Sequence, residues 1–405
     1  MRVHLKLNFA NPALFAVGFI VLFSLPYLYP SYHFPYLKVY SPFVHLLITA
    51  FIVSLILTAN QLSKISLFHK KEIVVPDINH QFIILSKLVI CISMIMNLLI
   101  VANAYSVYEG NIEAVKYSLE DFGGINIISQ LYLFFVPPVI FYGIRNKASY
   151  KLIVGTLGVL LLVRSGLMAE RLAFLEFVVP VFITYIIASK KRLLFTKMVK
   201  YFLLLLSFFM LLELTRQFYD QYIVTGAKVD VWFALTWTFE RFFAYYADTT
   251  NKFYFSIEND LSFTTYHYLT PFVRILRRLT SINYEFVQVD YGPYRWRDFT
   301  NPGGLTMLYT DLGYLSIFVF IFFFAVFFKS YKSIYKGSLF ALCLYPNLVT
   351  AILELPRFVN FYQTRFFVPL VFFIATYLIY KYLNSRFPIQ RKDKLPLSRA
   401  ESDML

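Results

Sequence analysis

The feature that most constrains this chain is a series of apolar runs, at about 13–30, 41–60, 82–107, 125–144, 152–168, 172–189, 199–215, 305–328, 338–353 and 366–383. Crossing the roughly 30 Å hydrocarbon layer takes about 17–25 helical residues, close to the length of these runs. Inside lipid a peptide group can be satisfied only by the chain's own hydrogen bonds, so each run predicts a helix. The expectation is an all-α polytopic membrane protein of about ten spans. The range is ten to twelve, because the stretch near 231–247 reads as a re-entrant or interfacial helix. The 405 residues are 59% hydrophobic and 15% charged, more apolar surface than a soluble fold of this size hides. Residues 1–405 thus read as a single integral membrane domain. The opening "MRVHLKLNFANPALFAVGFIVLFSLPYLYP" is positive, then apolar, and has no small-x-small cleavage pattern; it reads as an uncleaved first span. Cys91 and Cys343 each fall inside an apolar run and read as small core residues.

A net charge of +15 raises the question of nucleic acid, and the position of the charge answers it. Segments 1–12, 61–81, 145–151, 190–200, 329–337 and 384–405, with Lys381, hold 16 Lys and 6 Arg against only five acids. These segments follow every even-numbered span, which is the positive-inside pattern, and the rest of the chain is close to neutral. No nucleic acid is implied. Both termini are expected in the cytoplasm, with 384–405 a cytoplasmic tail and 216–304 a large, partly helical periplasmic loop between spans seven and eight.

The type of cation is more informative than the number. Outside, or near the outer membrane face, stand 11 Arg and 4 Lys. Positive-inside sorting explains why outer cations are few; it does not explain why they are arginines. Guanidinium is less hydrated than ammonium and grips phosphate through paired hydrogen bonds, so an Arg-rich outer cavity suits a diphosphate. The plainer reading has these arginines snorkel to headgroups or pair with outer acids.

Within the loop, "WFALTWTFERFFAYYADTTNK" read as a helix puts Arg241, Tyr245, Asp248 and Lys252 on one stripe, with Asn251 beside it. That face either lines a sugar cleft or lets Arg241 and Asp248 neutralise each other. Next, "TPFVRILRRLTS" places Arg274, Arg277 and Arg278 opposite Phe272, Ile275, Leu276 and Leu279, as in a helix lying flat on a membrane. The loop closes with "VDYGPYRWRDFTNPGGLTMLYTDLGYL", where Arg295, Arg297 and Asp298 sit among aromatic and turn-forming residues. Aromatic faces stack on pyranose rings and Arg and Asp bind hydroxyls or phosphate. Asp311, an acid inside the next apolar run, is a candidate by its position. Finally "ELPRFVNFYQTR" brings Glu354, Arg357 and Arg365 to the same side, and "LVRSGLMAERLAFLEF" brings Arg164, Glu170, Arg171 and Glu176. No DxD and no His/Cys metal spacing occurs, so no metal and no cofactor are expected.

Taken together, "SGLMAERLAFLEFVVPVFITYIIASKK", "ERFFAYYADTTNKF" and "TNPGGLTMLYTDLGYLSIFVFIFFFAVF" resemble the O-antigen (oligosaccharide repeat-unit) polymerases of the Wzy type. The resemblance covers about 80–385. Members commonly carry Arg-x10-Gly in outer loops; here Arg216 reaches Gly226 one residue short. The resemblance implies a GT-C-like glycosyltransferase of a bacterial inner membrane, polymerising undecaprenyl-diphosphate-linked oligosaccharide repeat units at the periplasmic face. Membrane lipid is its setting, and a chain-length regulator and a flippase are the expected protein partners. It assigns Arg171, Arg241 and Arg297 as leading phosphate binders, followed by Arg164, Arg216, Arg357 and Arg365, with Arg295 and Asn251 as further substrate contacts. Asp298, then Asp248 and Glu170, are candidates for the base, with His267 an outside choice. The rivals are an O-antigen ligase, which should show a clearer outer-loop histidine, and a flippase, which should carry charge along a path open to both faces.

Overall fold

The structure is a computed structural model, and it describes residues 6–7, 10–28, 41–63, 78–107, 123–168, 171–189, 193–194, 200, 207, 210–211, 214, 230–280, 289–291 and 301–386. Its helices are α1 (Pro12–Leu28), α2 (Pro42–Ser63), α3 (His80–Val107), α4 (Gly123–Ile128), α5 (Val136–Arg145), α6 (Lys151–Met168) and α7 (Arg171–Ser189). They continue with α8 (Val231–Glu258), α9 (Thr270–Thr280), α10 (Gly304–Leu312), α11 (Ser316–Ile334), α12 (Leu339–Glu354) and α13 (Thr364–Arg386). The one sheet among the described residues is a two-residue antiparallel pairing of Lys6–Leu7 with Leu193–Leu194. Five helical runs are long and apolar enough to cross a membrane: Pro42–Ser63, His80–Val107, Gly124–Arg145, Gly304–Ile334 and Thr364–Arg386. Each apolar run seen in the sequence falls on described helix, the fourth divided between α4 and α5 and the eighth between α10 and α11, except 199–215, which falls almost wholly outside the described residues.

Local chemistry sets several helix starts. Asn11 accepts from the Ala13 N–H ahead of α1, Asp230 from the Trp232 N–H ahead of α8, and Ser338 from the Ala341 N–H ahead of α12. Each side chain satisfies a donor that the first turn leaves over.

The helices run alternately between two faces. At one face Tyr345, early in α12, donates to the Ala10 carbonyl, Lys332 near the end of α11 donates to the Ser63 carbonyl ending α2, and Phe82 of α3 meets Tyr380 of α13. This face carries Arg145, Lys147, Lys151, Lys329, Lys336 and Lys381. At the opposite face Phe23 of α1 stacks on His45 of α2, and Glu176 of α7 faces Arg365 of α13. Among the described residues the cations toward that face are Arg164, Arg241, Arg274, Arg357 and Arg365 with Lys252, so those residues are arginine-rich where the first face is lysine-rich.

Between the faces the bundle is packed with aromatic rings. Phe324 meets Phe19 at 5.7 Å, Phe327 stacks on Tyr345 at 5.3 Å, and Phe134 on Phe373 at 5.3 Å. In lipid, burying these rings gains little over leaving them in acyl chains, so close packing and polar ties hold the helices together. Cys343 is in this core as expected. Cys91 is not, because it lies on the exposed side of α3.

The eighth apolar run differs from a single straight span. It breaks at Gly313, whose φ of +53° is left-handed, and α10 on one side of the break is almost wholly buried. Only α11, with the turn that leads into it, presents an exposed apolar stripe, through Tyr314, Phe318 and Phe322. The apolar character of α10 belongs to packing against α8 and the turn after α12.

Candidate functional site

The predicted stripe on α8 exists, and it sits where three parts of the chain meet at the arginine-bearing face. Asp248, Asn251 and Lys252 are buried, and Tyr245 and Arg241 are half-buried one and two turns earlier. Asp248 does not pair with Arg241. Its partner is Lys252, one turn on, whose Nζ donates to Asp248 Oδ2 at 2.6 Å and to the Asn301 carbonyl at 3.2 Å. Arg241 stacks its guanidinium 4.7 Å from the Trp237 ring. The spacing i, i+4 favours both pairings over one spanning seven residues.

Two loops close on this stripe. Asn301 donates its amide to the Tyr245 hydroxyl, while the Tyr291 ring lies 5.7 Å from the Lys252 ammonium. The described residues on either side of Arg295, Arg297 and Asp298 thus both reach Lys252. From the other direction Arg357 stands 4.6 Å over the Tyr245 ring and donates to Glu354 at 2.9 Å. Phe358 has two guanidinium neighbours, Arg357 at 5.7 Å and Arg365 at 5.8 Å, and Arg365 also faces Glu176 at 3.5 Å.

The "NPGG" of the sequence is what permits this closure. Gly303 adopts φ +94°, and a Cβ on Gly304 would lie 2.1 Å from the Leu355 carbonyl oxygen. Any side chain there would push α10 off the 355–358 turn that carries Arg357. The "DLG" that follows has a different task. Asp311 accepts from the Thr265 hydroxyl at 2.5 Å and from the His267 and Tyr268 backbone N–H groups at 2.9 and 2.8 Å, pinning the loop between α8 and α9. The bonds of Asp311 are those of an anchor.

Burial pushes the Asp248 carboxyl up to about 7, against the pull of the Lys252 ammonium. Losing water costs a buried carboxylate more than one nearby cation returns. Among the described residues Asp248 Oδ1 and Asn251 Nδ2 have no hydrogen-bond partner. Burial also raises the Tyr291 phenol, with the Asp311 and Asp248 carboxylates adding to the shift. Burial lowers the His267 imidazole, with Asp311 opposing.

The arginines do not all gather here. Arg164 of α6 is fully buried and donates to Asn97 Oδ1, Ser129 Oγ and Asn126 Oδ1 at 2.8–2.9 Å, joining α3, α4 and α6. Those oxygens account for a cation in so apolar a setting. Of the other predicted site residues, Arg357 and Arg365 meet at Phe358, Asn301 ties Tyr245 to the Lys252–Asp248 pair, and Asn251 is buried on the same helix, while Arg241 stacks on Trp237 instead. Glu170, Arg216, Arg295, Arg297 and Asp298 lie outside the described residues, as does the Arg171 side chain, although Arg171 begins α7. The sequence did not single out Lys252, Tyr291, Asn301 or Phe358 as site residues. Lys252 was visible on the stripe; the others join it through contacts that no local spacing signals.

Comparison with known protein families, with curated proteins and with solved structures finds no match.

Proposed function

We propose that this chain polymerises lipid-diphosphate-linked oligosaccharide repeat units, as an O-antigen or related surface-glycan polymerase of the bacterial inner membrane. In this reading the arginine-bearing face is periplasmic, both termini are cytoplasmic, and the architecture is a GT-C-like one of about ten spans. The observation that carries the proposal is the meeting of Arg357 and Arg365 at Phe358, with Arg357 also over Tyr245 and Asn301 tying Tyr245 to Lys252, so that cations from α8, the turn after α12 and the start of α13 stand among aromatic rings at one face. Cations among rings suit a substrate that is half diphosphate and half sugar.

The reaction breaks the bond between the anomeric carbon and the diphosphate oxygen of undecaprenyl diphosphate and forms one from that carbon to an acceptor hydroxyl oxygen. Negative charge collects on the departing diphosphate, and guanidinium groups fixed nearby stabilise it without a metal. In the ligand-free protein Glu354 holds Arg357, and a phosphate would compete for the same guanidinium face. The hydroxyl proton goes to a carboxylate. Asp298, Asp248 and Glu170 are the candidates; for Asp248, a carboxyl poised near neutral pH with one unpartnered oxygen supports the role. Arg171, Arg297, Arg295 and Arg216 complete the proposed phosphate-binding set.

The test is deletion of the gene in its host, followed by gel analysis of the surface glycan. A polymerase mutant caps its lipopolysaccharide with a single repeat unit. Loss of all attached glycan would instead indicate a ligase or a flippase and overturn the proposal.

A further inference from the structure

The loop between α8 and α9 is built to hold aromatic rings outward. Asp260 and Phe263 adopt φ of +45° and +58°, a left-handed backbone that residues with a side chain rarely take up. The strain is held in place from two sides. The Asp260 carboxylate accepts from the Ser262 hydroxyl at 2.8 Å and from the Tyr309 hydroxyl at 3.2 Å. Asp311 holds Thr265, His267 and Tyr268 as described, and the Thr310 carbonyl accepts from the Thr264 and Thr265 N–H groups. With the loop locked to α10 in this way, Phe263 is 57% exposed, Tyr266 44% and Tyr268 37%. Three exposed rings held on one short locked loop form a patch, and a patch of this kind marks a surface that is covered by something.

The level at which these rings stand indicates what surrounds them. A Cβ on Gly313 would lie 2.9 Å from the Phe263 ring, so the tip of the loop is level with the break between α10 and α11. Tyr314, 69% exposed, follows the break and heads the stripe of Phe318 and Phe322 down α11. With 19 residues α11 is about 28 Å long, and Lys329 and Lys332 in its last turns reach back toward the headgroups, so the helix spans close to the full hydrocarbon layer. Tyr314 and Phe263 therefore mark the edge of that layer. Beyond the loop, Phe272 of the amphipathic α9 packs on Phe367 in the first turn of α13, and Arg274 is exposed on the same helix. Aromatic rings with a polar tip, followed by a basic amphipathic helix, are the chemistry of the boundary between headgroups and acyl chains.

We infer that the Asp260–Leu269 loop is a membrane-interface anchor, its rings seated with Tyr314 among phospholipid headgroup and glycerol atoms. The anchor does not depend on the polymerase reading. It sets the height of α8 and α10 above the lipid, because the same carboxylates that lock the loop are bonded to α10.

The test places the photo-reactive residue p-benzoylphenylalanine at position 263 of the full chain, with position 322 on the lipid-facing stripe as reference. Each variant goes into nanodiscs of phosphatidylethanolamine and phosphatidylglycerol, in the presence of a water-soluble oligosaccharide, and is irradiated and weighed intact. Phospholipid adducts at 263 are expected at a yield within about twofold of those at 322. Their absence at 263 while 322 reacts, or adducts with the oligosaccharide or a second copy of the chain, would overturn the anchor. Should the 263 variant fail to fold, the same substitution at Tyr266 is read in the same way.

Discussion

Two buried polar clusters lie toward the same face of this bundle, and they handle a cation in different ways. Around Arg164, two amide oxygens and a hydroxyl converge on one guanidinium between α3, α4 and α6. Around Tyr245 and Phe358, cations are paired with Asp248, Glu354 and Glu176 or laid over rings, and the chain arrives from α8, α12 and α13. The first cluster is a set of fixed acceptors suited to one occupant, the arginine already there. The second holds ion pairs and cation–ring contacts, which an incoming anion or sugar can replace with interactions of the same kind. In the proposed reading the second cluster is the working site because its partners can be exchanged, whereas the acceptors around Arg164 serve the arginine itself.

The comparison can be broken experimentally. The largest expected effect is on stability. Arg164→Leu removes the donor to the buried Asn97 and Ser129 oxygens and to the half-buried Asn126 oxygen, and should lower the unfolding free energy by about 3 kcal/mol, measured by thermal melting in detergent. A normal melt combined with lost polymerisation would move Arg164 into the site. Gly304→Ala should come next, costing about 1–3 kcal/mol through overpacking against Leu355 and shortening the glycan ladder because the turn carrying Arg357 is displaced. Arg357→Lys keeps the charge but loses the planar fork. It should shift stability by less than about 1 kcal/mol while cutting long-chain product roughly tenfold on gels. Normal ladders would remove Arg357 from phosphate binding.

A further effect is a slope against pH. Asp248 holds its proton to about pH 7 when folded, against 3.8 as its ordinary value, so the folded state binds the proton more tightly. The stabilisation this provides is complete below about pH 3.8 and is lost as pH rises toward 7. Asp248→Asn should flatten that part of the stability profile; an unchanged slope would place the titration elsewhere. If Asp248 is the base, activity should rise through the same window, and the Asn variant should lose it by about 100-fold or more.

Much of the scaffold was legible in the sequence because lipid imposes a simple rule on length and polarity. The runs at 41–60, 82–107 and 366–383 needed only that rule. The rule fails at 305–328, where hydropathy is continuous across Gly313 although the surroundings change from protein to lipid. Periodicity likewise revealed the α8 stripe but left the partner of Asp248 open, since seven residues and four residues both return to one face; the structure pairs it with Lys252 and not with Arg241. Asn301 meeting Tyr245, 56 residues away, left no trace in spacing. Contacts of that kind come from tertiary closure, which turn chemistry such as Gly303–Gly304 permits without specifying the partner.

The break at Gly313 has one consequence for how the chain is made. An insertion machinery that weighs only greasiness meets 31 continuous residues from Gly304 to Ile334, about half again as many as a bilayer accommodates. Two registers then compete, one drawing α10 into the membrane and one leaving it out. With the anchor loop at the lipid edge, as inferred above, Asp311 would penalise the deeper register, because entering oil means giving up all three of its donors.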